Sequence, residues 1–281
     1  MASITSEFVR KHDYLVCVDS DGCAMDTMDI KHIKCFGPCM VTEWGLEQWQ
    51  DEILARWNEI NLYTLTRGIN RFKGLAKALG EINEKYTPIE DVKVLQDWVV
   101  SGAAPSNDAC QKAYEETGSI IMKKALEWSK AVNENIKALP EEVKKPFEGA
   151  AEGIKAAHEV ADVAIVSSAN RDAVMEEWVK YGLIDSVDIV LAQDCGSKAE
   201  CIAAMLEHGY DPKKVLMVGD ALGDLESAKS NSVYYYPIQV RHEKESWAEL
   251  ENTALDKLVS GAFDEYELEK IEEFKANLGG N

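Results

Sequence analysis

The chain has 281 residues, a formal net charge of −20 and a hydrophobic fraction of 46%, which is the composition of a folded globular protein. The acidity argues against non-specific nucleic-acid binding, because neutralising phosphates requires clustered lysine and arginine, and against adsorption to an anionic membrane. No apolar stretch is long enough to span a bilayer, and the N-terminus has no signal-peptide pattern. Seven cysteines, an odd number, are typical of reduced thiols, so we expect a cytoplasmic protein.

The first predicted element is a short apolar run, Leu15–Val18, that ends directly in Asp19. A continuous apolar run, rather than an alternating one, is typical of a strand buried on both faces of a parallel sheet. The sequence Asp19-Ser20-Asp21-Gly22 follows. By itself, this D-x-D motif is as compatible with a turn that caps a helix as with catalysis.

A helical block comes next. Its helices are expected near 45–58, 68–79, 89–100 and 108–137, and it contains five of the seven tryptophans, for which we favour core packing. A block of this size after the first strand is expected to form a second domain. We therefore expect an α/β core from residues 1–26 and 144–281, with an all-helical domain from residues 27–143.

One segment of the helical block, residues 64–73, is rich in cations although the protein is acidic. Two interpretations stay open for it. Arg67, Asn70 and Arg71 could bind substrate oxygens, or the arginines could pair with carboxylates of their own domain. Lys73 could also be read as a Schiff-base lysine of a phosphonate hydrolase, but nothing at its spacing supports that interpretation.

In the second half of the chain, strands alternate with helices. Strands are expected at 163–166, 187–191, 215–218 and 233–236, and helices at 147–158, 171–181, 198–208 and 222–229. This alternation predicts an α/β fold, a doubly wound and mostly parallel sheet with right-handed crossovers. Polar residues follow the carboxyl ends of the strands, which is the edge where open α/β sheets bind ligands.

The polar residues at this edge are suited to magnesium-dependent phosphoryl chemistry. They are Asp19, Asp21, Ser167, Lys198, Asp220 and Asp224. Mg²⁺ prefers oxygen ligands and allows a carboxylate to approach an anionic phosphate. Lysine can pair with a nucleophile and with phosphoryl oxygens, and the serine hydroxyl can donate to another. An aspartate nucleophile forms an aspartyl-phosphate, and a carboxylate two residues on can protonate the leaving oxygen and then deprotonate water.

The set resembles the haloacid dehalogenase (HAD) superfamily, in its phosphatase branch. The first family motif, Asp-x-Asp-Gly-(Thr)-x-x-x-(Asp/Ser), is similar to residues 19–27, with Cys23 in place of the usual threonine. The later motifs follow in the family's order: Ser167 (or its neighbour Ser168) after a strand, Lys198 at a helix start, and Gly-Asp-x-x-x-Asp at 219–224. The helical insertion is similar to the family's caps, which close over the site, exclude water and select the leaving group.

The resemblance implies a role for each aspartate. Asp19 would be the nucleophile and a metal ligand, and Asp21 the general acid/base with its backbone carbonyl on Mg²⁺. Asp220 would bind Mg²⁺ directly, and Asp224 directly or through water. Haloacid dehalogenases proper lack the aspartate at the position of Asp21, so its presence points to phosphate chemistry.

The leading hypothesis is a Mg²⁺-dependent phosphatase that hydrolyses a small phosphorylated metabolite through an aspartyl-phosphate. A phosphomutase of the same superfamily shares every core residue and remains the alternative. A phospho-accepting receiver has no place for the large insertion and lacks an acid/base two residues after the acceptor. A binding protein without catalysis is disfavoured because no catalytic position is substituted. The identity of the substrate and the oligomeric state stay open.

Overall fold

The structure, a computed structural model, describes residues 4–102 and 105–279. Its contacts divide the chain into two compact units. We call Met1–Met28 with Glu141–Asn281 the α/β unit, and Asp29–Pro140 the helical unit. Within the described ranges, no helix has both the length and the apolar character needed to cross a membrane.

In the described part of the α/β unit, five parallel strands form one sheet in the order β3-β2-β1-β4-β5. They are β1 (Leu15–Val18), β2 (Asp162–Val166), β3 (Ile189–Leu191), β4 (Val215–Gly219) and β5 (Tyr234–Pro237). The central strand β1 is buried along its whole length, as its continuous apolar run predicts. The predicted α/β fold with a parallel sheet is confirmed.

The helical unit contains several α-helices; the first begins one residue before the unit, at Met28, and a π-helix, His32–Phe36, joins it to the second. They are α1 (Met28–Lys31), α2 (Gly37–Trp44), α3 (Gln50–Leu62), α4 (Arg71–Lys85), α5 (Val92–Trp98), α6 (Asn107–Thr117) and α7 (Ile120–Lys137). The helix expected at 68–79 runs from Arg71 to Lys85, and that expected at 89–100 from Val92 to Trp98. The other two predicted helices are wrong because of glycines. Gly45 (φ +65°) ends α2 instead of starting a helix, and Gly118 (φ +64°) divides the expected helix at 108–137 into α6 and α7. Glycine ends a helix readily because it adopts this left-handed conformation at little cost.

Aromatic side chains fill the core of the helical unit. Trp57 and Trp128 are fully buried, with ring centroids 6.0 Å apart in an edge-to-face arrangement. Phe36 packs on both indoles, and Phe72 packs on Trp128. The packing interpretation is therefore confirmed for these two tryptophans.

The helices of the α/β unit connect and flank its strands. They are α8 (Ala150–Val160), α9 (Arg171–Lys180), α10 (Lys198–Leu206), α11 (Leu222–Ser230), α12 (Glu243–Glu249), α13 (Leu255–Ser260) and α14 (Asp264–Asn277). Alternate residues of β1 point to opposite faces of the sheet, and Val16 and Val18 join the core cluster that α8, α9 and α12 cover. The sheet is thereby buried, and its carboxyl-end edge is left for polar residues.

Candidate active site

The ends of β1 and β4 bring the first candidate residues together. Val18 pairs with Val218 on β4 and with Ile165 on β2, and the Asp19 amide donates to the carbonyl oxygen of Val218 at 3.0 Å. Asp19 and Asp220 therefore follow the ends of two adjacent strands and lie next to each other. Parallel strands share one direction, which is why residues far apart in sequence meet at this edge.

Three of the predicted carboxylates form one buried cluster. Ligand oxygens of Asp19, Asp220 and Asp224 all lie within 4.8 Å of one another, and the residues are 5%, 1% and 0% exposed. Within residues 4–102 and 105–279, no other group of histidine, cysteine or carboxylate side chains is arranged in this way. Buried carboxylates this close repel one another and lose hydration, so the arrangement requires compensating positive charge.

Lys198 supplies part of that positive charge. Its Nζ lies 2.8 Å from Asp19 Oδ2 and 2.5 Å from Asp224 Oδ1. Burial alone would lower the pKa of Lys198, but the two carboxylates outweigh it and raise the pKa, so the ammonium stays charged. Lys198 is the first residue of α10, where Ser197 and Glu200 form a capping box that does not involve the lysine.

The Asp19 carboxylate is held at both oxygens. Its Oδ1 accepts the amide of Ser20 at 2.8 Å, while Oδ2 faces Lys198. Burial raises the pKa of Asp19 well above its usual range; the Lys198 ammonium opposes the rise, and Asp224 and Asp220 add to it. The ionised form that a nucleophile needs is therefore not secured by Lys198 alone.

The side chain of Asp224 packs closely against the backbone at the end of β4. Its Oδ2 accepts the amide of Ala221 at 3.1 Å at the start of α11. A Cβ on Gly219 would lie only 2.3 Å from Asp224 Cγ, far inside contact distance. Only glycine at position 219 leaves room for the carboxylate against the backbone.

Asp21 lies on the turn that follows the nucleophile position. Gly22 has φ +83°, and its amide donates to the carbonyl oxygen of Met25 at 2.9 Å. The Asp21 Oδ1 accepts the hydroxyl of Thr27 at 2.6 Å, and Thr27 is fully buried. Asp21 itself is half-buried, and its acid/base role stays a prediction.

Ser167 lies just beyond β2 and is 3% exposed, whereas its neighbour Ser168 is exposed. The Ser167 amide donates to the carbonyl oxygen of Leu191 on β3 at 2.9 Å, and its Oγ accepts the amide of Ala169 at 3.1 Å. The hydroxyl proton is thus left to donate to another group. Of the two candidate serines, Ser167 has the more fixed hydroxyl.

Cys23 stands where the resemblance expects threonine. Its Sγ lies 3.6 Å from the carbonyl oxygen of Val218, so the thiol takes the donor role. Burial raises the pKa of Cys23 well above its usual range, and the carboxylate of Asp19 adds to the effect. The thiol therefore supports the turn as a neutral donor.

The cap candidates have partners inside the helical unit. Buried Arg67 donates to the carbonyl oxygen of Leu62 at 2.9 Å and lies 3.5 Å from Asp29 Oδ1. Arg71 donates to Asn133 Oδ1 at 2.7 Å, and burial lowers its pKa. Their role as substrate ligands stays a prediction.

The other two residues of that segment have simpler surroundings. Asn70 caps α4 by accepting the amide of Phe72 at 3.0 Å, and its Nδ2 donates to the carbonyl oxygen of Pro105 at 2.9 Å. Lys73 is exposed on α4. A Schiff-base lysine usually lies in an apolar pocket, so nothing around Lys73 favours that chemistry.

The cluster of Asp19, Asp220 and Asp224 fits a magnesium ion by its chemistry. The donors are all carboxylate oxygens, which Mg²⁺ prefers, and they belong to two neighbouring strand ends. In their ionised forms these carboxylates repel one another beside the Lys198 ammonium, and a divalent cation would relieve that repulsion. The residues present therefore suit the ion that the sequence predicts.

Sequence reasoning missed residues that support the site from elsewhere in the fold. Thr27, which donates to Asp21, occupies the last position of the first motif, where the family pattern has Asp or Ser. Trp178 and Trp247 donate to Ser20 Oγ and to the carbonyl oxygen of Cys23. No local pattern could reveal these two contacts, because the partners are 158 and 224 residues apart.

Comparison with protein families gives one match along the chain. The sequence profile of the haloacid dehalogenase-like hydrolases matches residues 101–236. This segment contains Ser167, Lys198, Asp220 and Asp224, while Asp19 precedes it. No curated protein matches the chain.

Solved structures share the fold at low sequence identity. A protein named as a phosphoglycolate phosphatase from Lactobacillus delbrueckii subsp. bulgaricus is similar over 80% of this chain and 85% of its own, with 13% identity and a TM-score of 0.51. A haloacid dehalogenase-like hydrolase from Bacteroides fragilis is similar over 84% and 93%, with 14% identity and a TM-score of 0.51. A protein named as a phosphatase from Clostridium difficile is similar over 81% and 86%, with 15% identity and a TM-score of 0.50.

Proposed function

The chain belongs to the haloacid dehalogenase superfamily of hydrolases, and we propose that it is a Mg²⁺-dependent phosphatase acting on a small phosphorylated metabolite. The observation that carries the proposal is the buried cluster of Asp19, Asp220 and Asp224, in which the Lys198 ammonium contacts Asp19 and Asp224. A set of oxygen donors with excess negative charge suits a hard divalent cation and an anionic substrate that must be neutralised.

The chain's own residues account for the first chemical step. An Asp19 oxygen attacks the phosphorus atom, and the bond from phosphorus to the ester oxygen breaks. Asp21, two residues on, gives its proton to that oxygen, and the alcohol leaves. Lys198 and Ser167 donate to the phosphoryl oxygens and balance the charge that develops on them.

The second step regenerates the enzyme. Asp21, now ionised, takes a proton from a water molecule whose oxygen attacks the phosphorus of the aspartyl-phosphate. The bond from phosphorus to Asp19 breaks, inorganic phosphate leaves, and Asp21 is protonated again. Thr27 donates to Asp21 at 2.6 Å and limits the positions that its carboxyl can take.

Asp19, Asp220 and Asp224, with the backbone carbonyl of Asp21, would hold Mg²⁺. When bound, Mg²⁺ supplies positive charge that keeps the carboxylates ionised beside the phosphate. We assign substrate selection to the helical unit, with Arg67, Asn70 and Arg71 as the candidate contacts. The reduced cysteines support a cytoplasmic location, and the partner is a small metabolite rather than nucleic acid or membrane.

The test is release of inorganic phosphate from a panel of phosphorylated metabolites, with Mg²⁺ and with a chelator. We expect release from a narrow group of substrates, and we expect the chelator to abolish it. Metal-independent release would contradict the site assignment. If the folded protein releases no phosphate, the next test is whether a labelled phosphoryl group becomes attached to Asp19. A mutase would carry the label on Asp19, whereas an inactive protein would not.

A further inference from the structure

Two buried tryptophans hold the segment that carries the candidate catalytic aspartates, residues 19–27, which we call the catalytic loop. Trp178 on α9 donates its indole Nε1–H to Ser20 Oγ at 2.9 Å, and Trp247 on α12 donates to the carbonyl oxygen of Cys23 at 3.1 Å. Both tryptophans are fully buried. The loop is therefore fixed by indole groups from two distant helices.

The contact at Ser20 continues to the nucleophile position. Ser20 donates its own amide to Asp19 Oδ1 at 2.8 Å, while the Lys198 ammonium lies 2.8 Å from Asp19 Oδ2. Trp178 holds the side chain of Ser20, and the Ser20 backbone holds one oxygen of Asp19. Two hydrogen bonds, joined through Ser20 itself, thus connect Trp178 in the core of the α/β unit to the Asp19 carboxylate.

The chemistry of the pair argues for more than packing. Ser20 is fully buried, and burying a hydroxyl stabilises the fold less than burying an alkyl group of similar size. An indole N–H can only donate, so the Ser20 Oγ must be the acceptor in its hydrogen bond with Trp178. The wide, rigid indole of Trp178 lies in the main core cluster, where it has little freedom to move.

We propose that Trp178 and Ser20 are positioning residues that fix the orientation of the Asp19 carboxylate, an inference that rests on the proposed phosphatase function. Without the indole contact, the catalytic loop is held less tightly at Ser20, and the Ser20 amide fixes the position of Asp19 Oδ1 less well. The attacking oxygen then spends less time in line with the phosphorus atom, which lowers turnover without weakening the binding of substrate. Trp178 and Ser20 act through Asp19 and do not themselves touch the phosphoryl group.

The test compares Trp178→Phe, Ser20→Ala and the double variant in steady-state hydrolysis of p-nitrophenyl phosphate with Mg²⁺. We expect kcat to fall about tenfold in each single variant, with KM close to that of the parent. The double variant should also lose about tenfold rather than a hundredfold, because both substitutions break the same hydrogen bond. Urea unfolding of each variant corrects kcat for the fraction of folded protein.

Trp128→Phe is the matched control. Its indole is equally buried and donates to the carbonyl oxygen of Phe36 at 3.1 Å, within the helical unit. We expect this variant to lose stability but to keep the parent kcat. Unchanged kcat in Ser20→Ala, or independent losses that multiply in the double variant, would overturn the inference. A folded parent that hydrolyses no phosphate ester would instead overturn the proposed function, and the inference with it.

Discussion

The two units of the chain bury charged side chains in different ways. In the α/β unit, carboxylate oxygens of Asp19, Asp220 and Asp224 lie within 4.8 Å of one another, and the Lys198 ammonium contacts Asp19 and Asp224. In the helical unit, the candidate arginines have neutral or opposite partners within their own unit, such as Asn133 for Arg71. The first cluster brings like charges together, whereas in the second set each arginine donates to an acceptor of its own unit.

The difference separates function from architecture. A buried charge with partners on all sides is what folding alone favours, since an unpaired one costs free energy. Like charges that are buried this close together are costly unless an ion or a substrate compensates them. The α/β unit therefore supplies the stronger functional assignment, and the helical arginines the weaker one.

The largest expected effect is on the nucleophile. Asp19→Asn should lower phosphate release at least about 100-fold, because the attacking oxygen is lost. The same substitution removes one of three mutually repelling carboxylates, so the melting temperature should not fall. Phosphate release and thermal denaturation measure the two effects. Residual activity above about 1% of the parent would remove Asp19 from the nucleophile role.

The burial and mutual repulsion of these carboxylates also predict how the stability of the protein depends on pH in the absence of metal. The pKa of Asp19 is raised in the folded protein, so the folded state binds more protons than the unfolded one above about pH 4. Stability should therefore fall as the pH rises from about 4 through the folded-state pKa of this carboxyl. Thermal denaturation in chelator across this range measures the slope.

Mg²⁺ should reverse this dependence. An ion that binds only the folded, ionised site at 100 times its dissociation constant stabilises the protein by about 2.7 kcal/mol, and the gain should be largest at the higher pH values. Asp19→Asn provides the control, since its response to Mg²⁺ should be much smaller. Equal Mg²⁺ stabilisation at pH 4 and pH 7 would contradict the assignment of the cluster as a metal site.

A smaller effect is expected at the end of β4. In Gly219→Ala the new Cβ would overlap Asp224, so we expect a loss of about 1–3 kcal/mol in the free energy of unfolding and a higher Mg²⁺ requirement. Gly223→Ala is the matched stability control, because a Cβ there meets nothing within 4 Å. This second variant, in α11, should be unchanged or up to about 1 kcal/mol more stable. Equal losses of unfolding free energy in both variants would contradict the inference that Asp224 packs against Gly219.

The smallest effect is expected in the helical unit. Arg71→Ala removes the contacts with Asn133 and Ser129 and should cost about 1–2 kcal/mol of stability. If Arg71 also contacts the substrate, kcat/KM for the natural substrate should fall more than for p-nitrophenyl phosphate, and we expect this pattern. Lys73→Ala, exposed on the same helix, should change neither quantity. Equal losses on both substrates would place Arg71 outside the substrate contact.

Much of the sheet could be predicted from the sequence. The runs at 15–18, 163–166 and 215–218 are strands within one residue of their expected bounds, because a strand buried on both faces needs an uninterrupted apolar run. The helical unit was harder to divide. Gly45 and Gly118 end helices there, and a glycine can equally continue a helical pattern when only local sequence is considered.

The sequence by itself determined the residue types of the candidate site and the edge of the sheet at which they lie. Parallel strands all end at the same edge, so the residues that follow each strand come together there. Tertiary structure alone decided how closely Asp19, Asp220 and Asp224 approach, and that Trp178 reaches Ser20. Such contacts depend on the packing of side chains far apart in the chain, and packing leaves no periodic signal in the local sequence.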